Sequence, residues 1–321
     1  MEARHLRYAL ALAEHQHFGR AAAALGIAQP PLSTQIAALE KEVGERLFER
    51  TSRGVFPTAA GDAFLARAER ALQEMTGAAV DAGRAARGET GRLRIGFIGS
   101  ALLDPLPTVL APFRRAHPEV RLSMTEAPSP ESTSALLAGS LDVAVGRGAP
   151  TGPGAETLVT VSIKTDDLVA VVAATHPFAG QRQVGIEQLS GDRLIISPPE
   201  SEPRVAAVLR ELFPARSLEE AISARDVHTI VGLAACEAGV GLGPSGIRRI
   251  DRRDVRFCRI TPAVRLPDLH LSFRAHDPSP VLANFLQVLR HNCAQVGNRL
   301  DRTLTAMRVP ASSQVVIPTT E

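Results

Sequence analysis

Between residues 59 and 87 the chain is rich in alanine and holds no proline. Phe64, Leu65, Ala68, Leu72, Met75, Ala79, Ala82 and Ala86 recur there at steps of three and four. The spacing predicts one helix of ~30 residues, ~45 Å long at a rise of ~1.5 Å per residue. Its apolar stripe is narrow and confined to one side. Propensity alone contributes little to such a helix, so the stripe must be covered by something. It packs either on its own domain or on an antiparallel helix from a second chain, and the second arrangement is the one expected.

The same stretch separates two textures. Residues 1–58 are short helical patterns broken by Gly26 and Gly44, whereas from Leu93 to about Arg290 short β-rich runs alternate with helical ones. At ~100–200 residues per domain, a chain of 321 residues allows two or three domains with cores of their own. A composition of 45% hydrophobic and 22% charged residues is that of a globular chain, neither disordered nor fibrous. Apolar runs such as Leu168–Ala174 fall far short of the ~20 residues that cross a membrane, and the amino terminus leads into no signal-like block. A cytoplasmic location without membrane association is expected. Cys236, Cys258 and Cys293 stand far apart with no C-x-x-C pair, so reduced, buried thiols are expected, and neither a disulfide framework nor a zinc site. The net charge of +2 decides nothing about partners.

In the amino-terminal part, Leu6, Leu10 and Ala13 mark a first helix, and Phe18–Leu25 a second that Gly26 stops in a left-handed exit. A third begins near Gln29-Pro30-Pro31, where prolines are tolerated because first-turn amides have no intrahelical acceptor, and runs to about Val43. Leu32, Ile36 and Leu39 form its inward stripe. Pro30, Ser33, Thr34, Ala37 and Ala38 fall on the other side, a small and uncharged face unlike that of a helix stabilised by surface ion pairs. Two short helices meeting at a glycine turn have the helix-turn-helix layout, whose second helix reads base edges in the major groove. Leu47–Thr58 then reads as a hairpin wing around S-R-G, with Arg50 and Arg53 placed to grip phosphates or a narrow minor groove. A three-helix packing module without a DNA role fits the spacing as well. Residues 1–60 hold seven basic and six acidic side chains, so net charge does not separate the two.

The segment F-G-R-A-A-A-A-L-G-I-A-Q-P-P-L-S-T-Q-I-A-A-L-E-K-E-V-G-E-R-L-F-E-R, followed by T-A-A-G-D-A-F-L, closely resembles the amino-terminal signature of LysR-type transcriptional regulators. The resemblance implies a winged helix-turn-helix over 1–58 that binds double-stranded DNA, a dimerising linker helix over 59–88, a homodimer or homotetramer, and RNA polymerase as a further partner. It implies base or backbone contacts at Gln29, Pro30, Pro31, Ser33 and Thr34, and a wing contact at Arg53. Thr34 stands where close relatives carry arginine, a departure that bears on base preference.

In the carboxy-terminal part, Leu93–Gly99, Arg121–Ala127 and Leu141–Arg147 read as strands separated by helices, which predicts a mostly parallel α/β sheet. The texture repeats over 167–266, and a strand at Leu269–Phe273 with a helix at 279–292 returns to the first lobe. The expected effector domain spans 90–292, with lobe I at 92–163 and 268–292 and lobe II at 166–266. The segment Arg87–Arg92, with two glycines, is the expected hinge, and 293–321 a poorly ordered tail. A cleft between the lobes is where such sheets bind ligands. Ser100 and Ser129 end strand segments just before helices, where each is either an ordinary N-cap or a donor to a carboxylate.

G-F-I-G-S-A-L-L-D-P-L-P, E-A-P-S, G-S-L-D-V-A-V-G-R and R-D-V-H resemble the branch of the LysR family that senses aromatic-catabolism metabolites such as muconate or benzoate. The fold implied is a two-lobed domain like the periplasmic binding proteins, responding to a small anionic effector. By that resemblance Ser100 and Ser129 bind the effector carboxylate, Val205 takes an aromatic position of the pocket and Leu269 a cleft-lining aliphatic one. Arg147 and Asp226 match an arginine and a carboxylate that lie near each other, either as a structural pair or as a switch that the effector opens. No nucleophile elbow, H-E-x-x-H or phosphate loop points to an enzyme, and no cofactor or metal is expected. The alternative reading is a solute-binding or ligand-sensing protein without a specific operator, since the second half alone has that architecture.

Overall fold

The computed structural model describes residues 1–293 and Val296. Apart from Cys293 and Val296, the expected tail at 293–321 lies outside the described residues. The chain forms two compact units, one ending at Arg84 and the other beginning at Ala85.

The first unit contains α1 (Ala3–His15), α2 (Phe18–Ala24), α3 (Gln29–Val43), the hairpin of β1 (Phe48–Thr51) and β2 (Gly54–Pro57), and most of α4 (Ala59–Ala86). Gly26 lies in the turn between α2 and α3 at φ +69°, and Gly44 ends α3 at φ +84°, both left-handed. The core joins Ala9 and Leu12 of α1, Phe18, Ala21 and Ala22 of α2, and Leu32, Ile36 and Leu39 of α3. Of the residues expected to mark α1, Leu6 is buried, while Leu10 and Ala13 are half-buried. His5 is also buried, and its Nε2 lies 2.7 Å from Gln35 Oε1, tying α1 to α3. Thr58 starts α4: its hydroxyl accepts from the Gly61 amide at 3.0 Å and donates to the Arg46 carbonyl at 2.6 Å.

The second unit opens with β3 (Gly91–Phe97), α5 (Gly99–Leu103), α6 (Leu106–Ala116), β4 (Val120–Glu126), α7 (Ser129–Leu137) and β5 (Val143–Arg147). The long β6 (Leu158–Ala173) leads into β7 (Gln183–Gly185), α8 (Ile186–Leu189), β8 (Leu194–Ile196), α9 (Pro203–Leu212) and α10 (Ala215–Glu219). Then come β9 (Ile222–Ser223), α11 (Val227–Ala235), β10 (Val240–Pro244), β11 (Val255–Thr261), β12 (Arg265–Arg274) and α12 (Pro280–Asn292). The strands join in the order β4-β3-β5-β12-β6-β10-β8-β9, with β11 on β6 and β7 on β11.

Pairing is parallel within β4-β3-β5 and within β10-β8-β9, but β12 and β6 run antiparallel to their neighbours. The sheet is therefore mixed where a mostly parallel one was expected. β6 passes through both lobes, pairing with β12 from Leu158 to Asp167 and with β10 from Leu168 to Val171. Lobe I buries Leu93, Ile95, Val143 and Val145 against α6 and α12, where the Phe113 and Phe285 rings meet edge to face at 5.3 Å. Lobe II buries the β6–β10–β8 layer between two clusters, one around Leu189 and Leu209 and the other around Ile230 and Val231.

The segment expected to be a hinge is docked. Asn284 of α12 donates to the carbonyls of Arg87 and Gly88 at 2.9 and 3.3 Å, and a side chain at Gly88 would run into Pro280. Cys258 and Cys293 are buried, but Cys236 is exposed, against expectation. α11 stops at Ala235, and Glu237 turns the chain at φ +60°, which leaves the thiol on the outside of the helix end.

Candidate functional site

Two surfaces hold the expected functional residues. On the first unit, α3 buries Leu32, Ile36 and Leu39 and leaves Gln29, Pro30, Pro31, Thr34, Ala37 and Ala38 exposed, with Ser33 half-buried. The Thr34 hydroxyl donates back to the Pro30 carbonyl at 3.0 Å, which turns its proton toward the helix and leaves oxygen lone pairs outward. β1 and β2 pair from Phe48 opposite Pro57 to Thr51 opposite Gly54, so Ser52 and Arg53 form the tip. Arg53 is exposed there. The Arg50 guanidinium instead lies 4.6 Å above the Phe18 ring, which fixes its stem against α2. A backbone bond from the Val55 amide to the Gln16 carbonyl, 2.9 Å, holds the wing to the end of α1.

Along α4, Phe64, Leu65 and Leu72 are half-buried, whereas Met75 is 55% exposed and Ala79, Ala82 and Ala86 are exposed as well. Among the described residues of the first unit, nothing covers the carboxy-terminal half of the seam. Leu10, Leu72, Thr76, Gly77 and Val80 line a shallow, mainly apolar groove beside it.

On the second unit, the cleft between the lobes has a narrow inner part of about 60 Å³ and a wide mouth of about 600 Å³. Ser100, Arg147, Val205 and Asp226 all line the inner part. Ser100 is 9% exposed and is the second residue of α5, whose N-cap is Ile98, so its hydroxyl does not cap the helix. Ser129 likewise is the first residue of α7 after Pro128 rather than its cap. The Arg147 amide donates to Ser129 Oγ at 3.0 Å, and the Ser129 hydroxyl donates to the Glu202 carboxylate, with Oγ 3.0 Å from each carboxylate oxygen. Glu202 is the residue before α9 and lines both parts of the cleft, while Ser129, behind it, lines neither. Burial pushes the Glu202 carboxyl up to about 7, against the opposing pull of the Ser129 bond and the Arg147 charge.

Two expectations for the cleft are corrected. Arg147 does not pair with Asp226. Its Nη2 reaches Asp166 at 3.3 Å and its Nη1 the Pro267 carbonyl at 3.2 Å, while the Ser245 amide donates to Asp166 at 2.9 Å. Asp226 caps α11, accepting from the Thr229 amide at 2.9 Å and its hydroxyl at 2.5 Å. Burial raises the Asp226 carboxyl, but these bonds outweigh it and leave the group below the usual range. Leu269, expected at the cleft wall, pairs with Arg147 in the sheet and is 1% exposed in the lobe I core; Leu266 takes the wall position. The register shift between Leu266 and Leu269 in the β12–β6 ladder changes which side chains turn to the cleft.

Glu202 and Asp166 escaped the sequence reading. A glutamate before Pro203 looks like any helix start. Its significance comes from Ser129, 73 positions away in the chain. Lys164 was also missed: from the crossing strand it reaches Asp104 of lobe I at 2.9 Å, and Arg249 of lobe II reaches the same carboxylate at 3.0 Å. Among the described residues no group of three or more His, Cys, Asp or Glu could hold a metal ion, and no helix is long and apolar enough to cross a membrane.

A winged helix-turn-helix followed by a long helix and a two-lobed α/β domain with an interlobe cleft defines a class: DNA-binding regulators that carry their own sensory domain. Residues 3–62 match the model of the bacterial regulatory helix-turn-helix proteins of the lysR family, and 86–294 that of the LysR substrate binding domain. The chain belongs to the LysR family of transcriptional regulators, and it is a regulator rather than an enzyme. It is 37% identical over 299 residues to the regulator TfdS of Cupriavidus pinatubonensis, covering 92% of this chain and all of the relative. BenM of Acinetobacter baylyi is 30% identical over 301 residues, covering 92% and 98%. The crystal structure of full-length CbnR complexed with its target DNA superposes with a TM-score of 0.76 at 29% identity, covering 91% of this chain and all of that one.

Proposed function

We propose that this regulator answers to a small carboxylate-bearing effector seated in the interlobe cleft, against Ser129 and Ser100. One observation carries the reading. The Ser129 oxygen accepts from the Arg147 amide and its hydroxyl donates to the Glu202 carboxyl group, so a carboxyl group already occupies this donor. A hydroxyl held as a donor in a half-buried wall favours an anion. Ser100 offers a second buried hydroxyl, and Val205 and Leu242 supply apolar wall for the body of the ligand. The resemblance to the branch that senses aromatic-catabolism metabolites supports an aromatic or muconate-like acid.

The DNA contacts are assigned to Gln29, Pro30, Pro31, Ser33 and Thr34 in the major groove, and to Arg53 and Arg50 on the flanking phosphates or minor groove. The uncovered seam of α4 is assigned to a second copy of the chain. A dimer presents two recognition helices to a two-fold operator, and pairing of dimers gives a tetramer. RNA polymerase is the expected further partner at the promoter. The effector favours one relative placement of the lobes over another, and the output changes only so far as its affinity for the two placements differs.

A gel-shift on the DNA upstream of the encoding gene tests the reading. A retarded band whose mobility or footprint changes with benzoate or muconate is the expected result. No retardation at low salt overturns the operator assignment, and retardation indifferent to every small acid overturns the effector assignment.

A further inference from the structure

The inner cleft is too small for the effector that its walls invite. Ligand pockets ordinarily enclose ~300–1,000 Å³, whereas this one holds about 60 Å³ and the mouth beside it about 600 Å³. Ile98, Gly99, Glu202, Arg225 and Asp226 are common to both parts, so they form the partition. Within that partition Glu202 crosses from lobe II to a lobe I side chain, through its hydrogen bonds from Ser129. Its carboxylate therefore occupies the donor that the proposed effector needs.

We propose that Glu202 is a tethered carboxyl group that fills the Ser129 subsite in the empty protein, and that an effector carboxylate binds by displacing it. The inference rests on the effector reading above and adds a residue that sets both affinity and lobe geometry. With Glu202 seated, lobe II is latched to α7 of lobe I. With an external carboxylate on Ser129, the latch is broken and the partition between inner cleft and mouth opens. Effector binding and latch release are then one event, and the effector's affinity for the open state is reduced by the fraction of protein that is latched.

The latch has a polarity with pH. Its surroundings are the Arg147 charge from β5, Arg225 and Asp226 from the segment before α11, and Glu126, Glu131 and Glu200 around the mouth. Seated, Glu202 holds its proton up to about pH 7; released into the mouth it returns toward the ordinary 4.5. The seated form is thus favoured at low pH, and displacement becomes easier as pH rises through that window. Free benzoate is ionised across this window, so the pH arm reads the charge state of Glu202 only as far as the opened subsite is hydrated.

The test is benzoate and acetate binding to the full chain by ligand-observed NMR, at about pH 5.5 and about pH 8.5, in wild type, Glu202→Ala, Glu202→Gln and Glu202→Ala/Ser129→Ala. Wild type is expected to bind at least about ten-fold tighter at the higher pH, following the release of one proton. Glu202→Ala binds about ten-fold or more tighter than wild type at low pH and loses the dependence. Glu202→Gln, whose amide still accepts from Ser129 and never ionises, binds weakly at both. The double variant returns to weak binding. If Glu202→Ala binds these acids no better than wild type does, the tether is overturned while the effector reading stands. If Glu202→Ala binds neither acid, or binds them as well without Ser129, the subsite assignment itself fails and takes the tether with it.

Discussion

Arg147 and Asp166 face each other at 3.3 Å with side-chain exposures of only 4% and 3%. Arg147 comes from β5 of lobe I, and Asp166 lies on β6 where that strand passes into lobe II and meets Ser245. The pair is a bolt at the strands that join the lobes. Removing one member of a buried pair strands the other charge, at about 3–5 kcal/mol. Asp166→Asn should lose about that much stability by urea denaturation. Asp226→Ala removes only the cap of α11 and should lose about 1 kcal/mol. Equal losses would show that Asp166 is not the anchor.

Glu202 also marks the pH profile of folding. Its folded carboxyl is raised to about 7, mainly by burial, above an unfolded value near 4.5. The folded state therefore binds the proton more tightly, and the stabilisation is complete below the unfolded value and drains away as pH rises toward 7. A tenfold difference in proton affinity corresponds to about 1.4 kcal/mol, and partial contact with water brings the whole effect to about 1–3 kcal/mol. Glu202→Gln should flatten the melting temperature between about pH 5 and 7.5 and raise it at the upper end. A profile unchanged from wild type would place the titration elsewhere.

What was legible in the sequence were features decided by local physics. The start of α3 at Gln29 follows from the proline pair and its end at Val43 from Gly44, because φ preferences act within one turn. The inward stripe of Leu32, Ile36 and Leu39 follows from the helical period. Contacts decided across the chain were not legible. Leu158–Ile163 in the first half of β6, and β11, went unread: Val161, Ile163, Val255, Cys258 and Ile260 are buried but interleaved with polar residues, Thr160, Ser162, Arg256, Arg259 and Thr261, rather than set in an apolar run. Arg147 was matched to Asp226 when Asp166 lay opposite it, a choice that only the crossing of β6 makes. Leu269 lies in the lobe I core and Leu266 lines the cleft, on either side of a register shift that no residue type announces.

Gly61 sits inside α4, where alanine would ordinarily stabilise a helix. Here a Cβ would lie 2.0 Å from the Leu47 carbonyl oxygen, which also accepts from the Thr58 amide. The contact is with backbone at the junction of wing and helix, so it cannot be relieved by a rotamer change. Gly61→Ala is expected to lower the stability of the amino-terminal unit by about 1–3 kcal/mol, where propensity alone gives a gain of about 1. A thermal melt that moves upward would refute the clash.

Met75 is more than half exposed on a helix whose next buried residue toward the amino terminus is Ala68. A charge there costs the isolated chain little, because the site is already in water, but it would be desolvated in a helix–helix seam. Met75→Glu should shift the protein toward monomer in light scattering at micromolar concentration with its circular dichroism preserved. An undiminished oligomer would move the interface off this face.

The wing and the recognition helix should separate in a salt titration. Arg53 stands exposed at the tip of the hairpin, whereas Arg50 lies on the Phe18 ring. A guanidinium that meets only phosphate binds every sequence equally and releases counterions as it does so. Arg53→Ala should weaken operator and unrelated DNA alike and reduce the slope of log affinity against log salt by about 0.9. Gln29 begins α3 with its side chain in solvent, at the end of the helix that reaches base edges in this class of module. Gln29→Ala should cost about 1–3 kcal/mol on the operator, little on unrelated DNA, and leave the slope unchanged. Arg50→Ala should do what Arg53→Ala does and, in addition, lower the melting temperature, since its stem packs on α2. Gel-shift or fluorescence-anisotropy titrations at several salt concentrations distinguish the three. A Gln29 variant that lost affinity for all DNA with a smaller slope would put a phosphate, and not a base, opposite the start of α3.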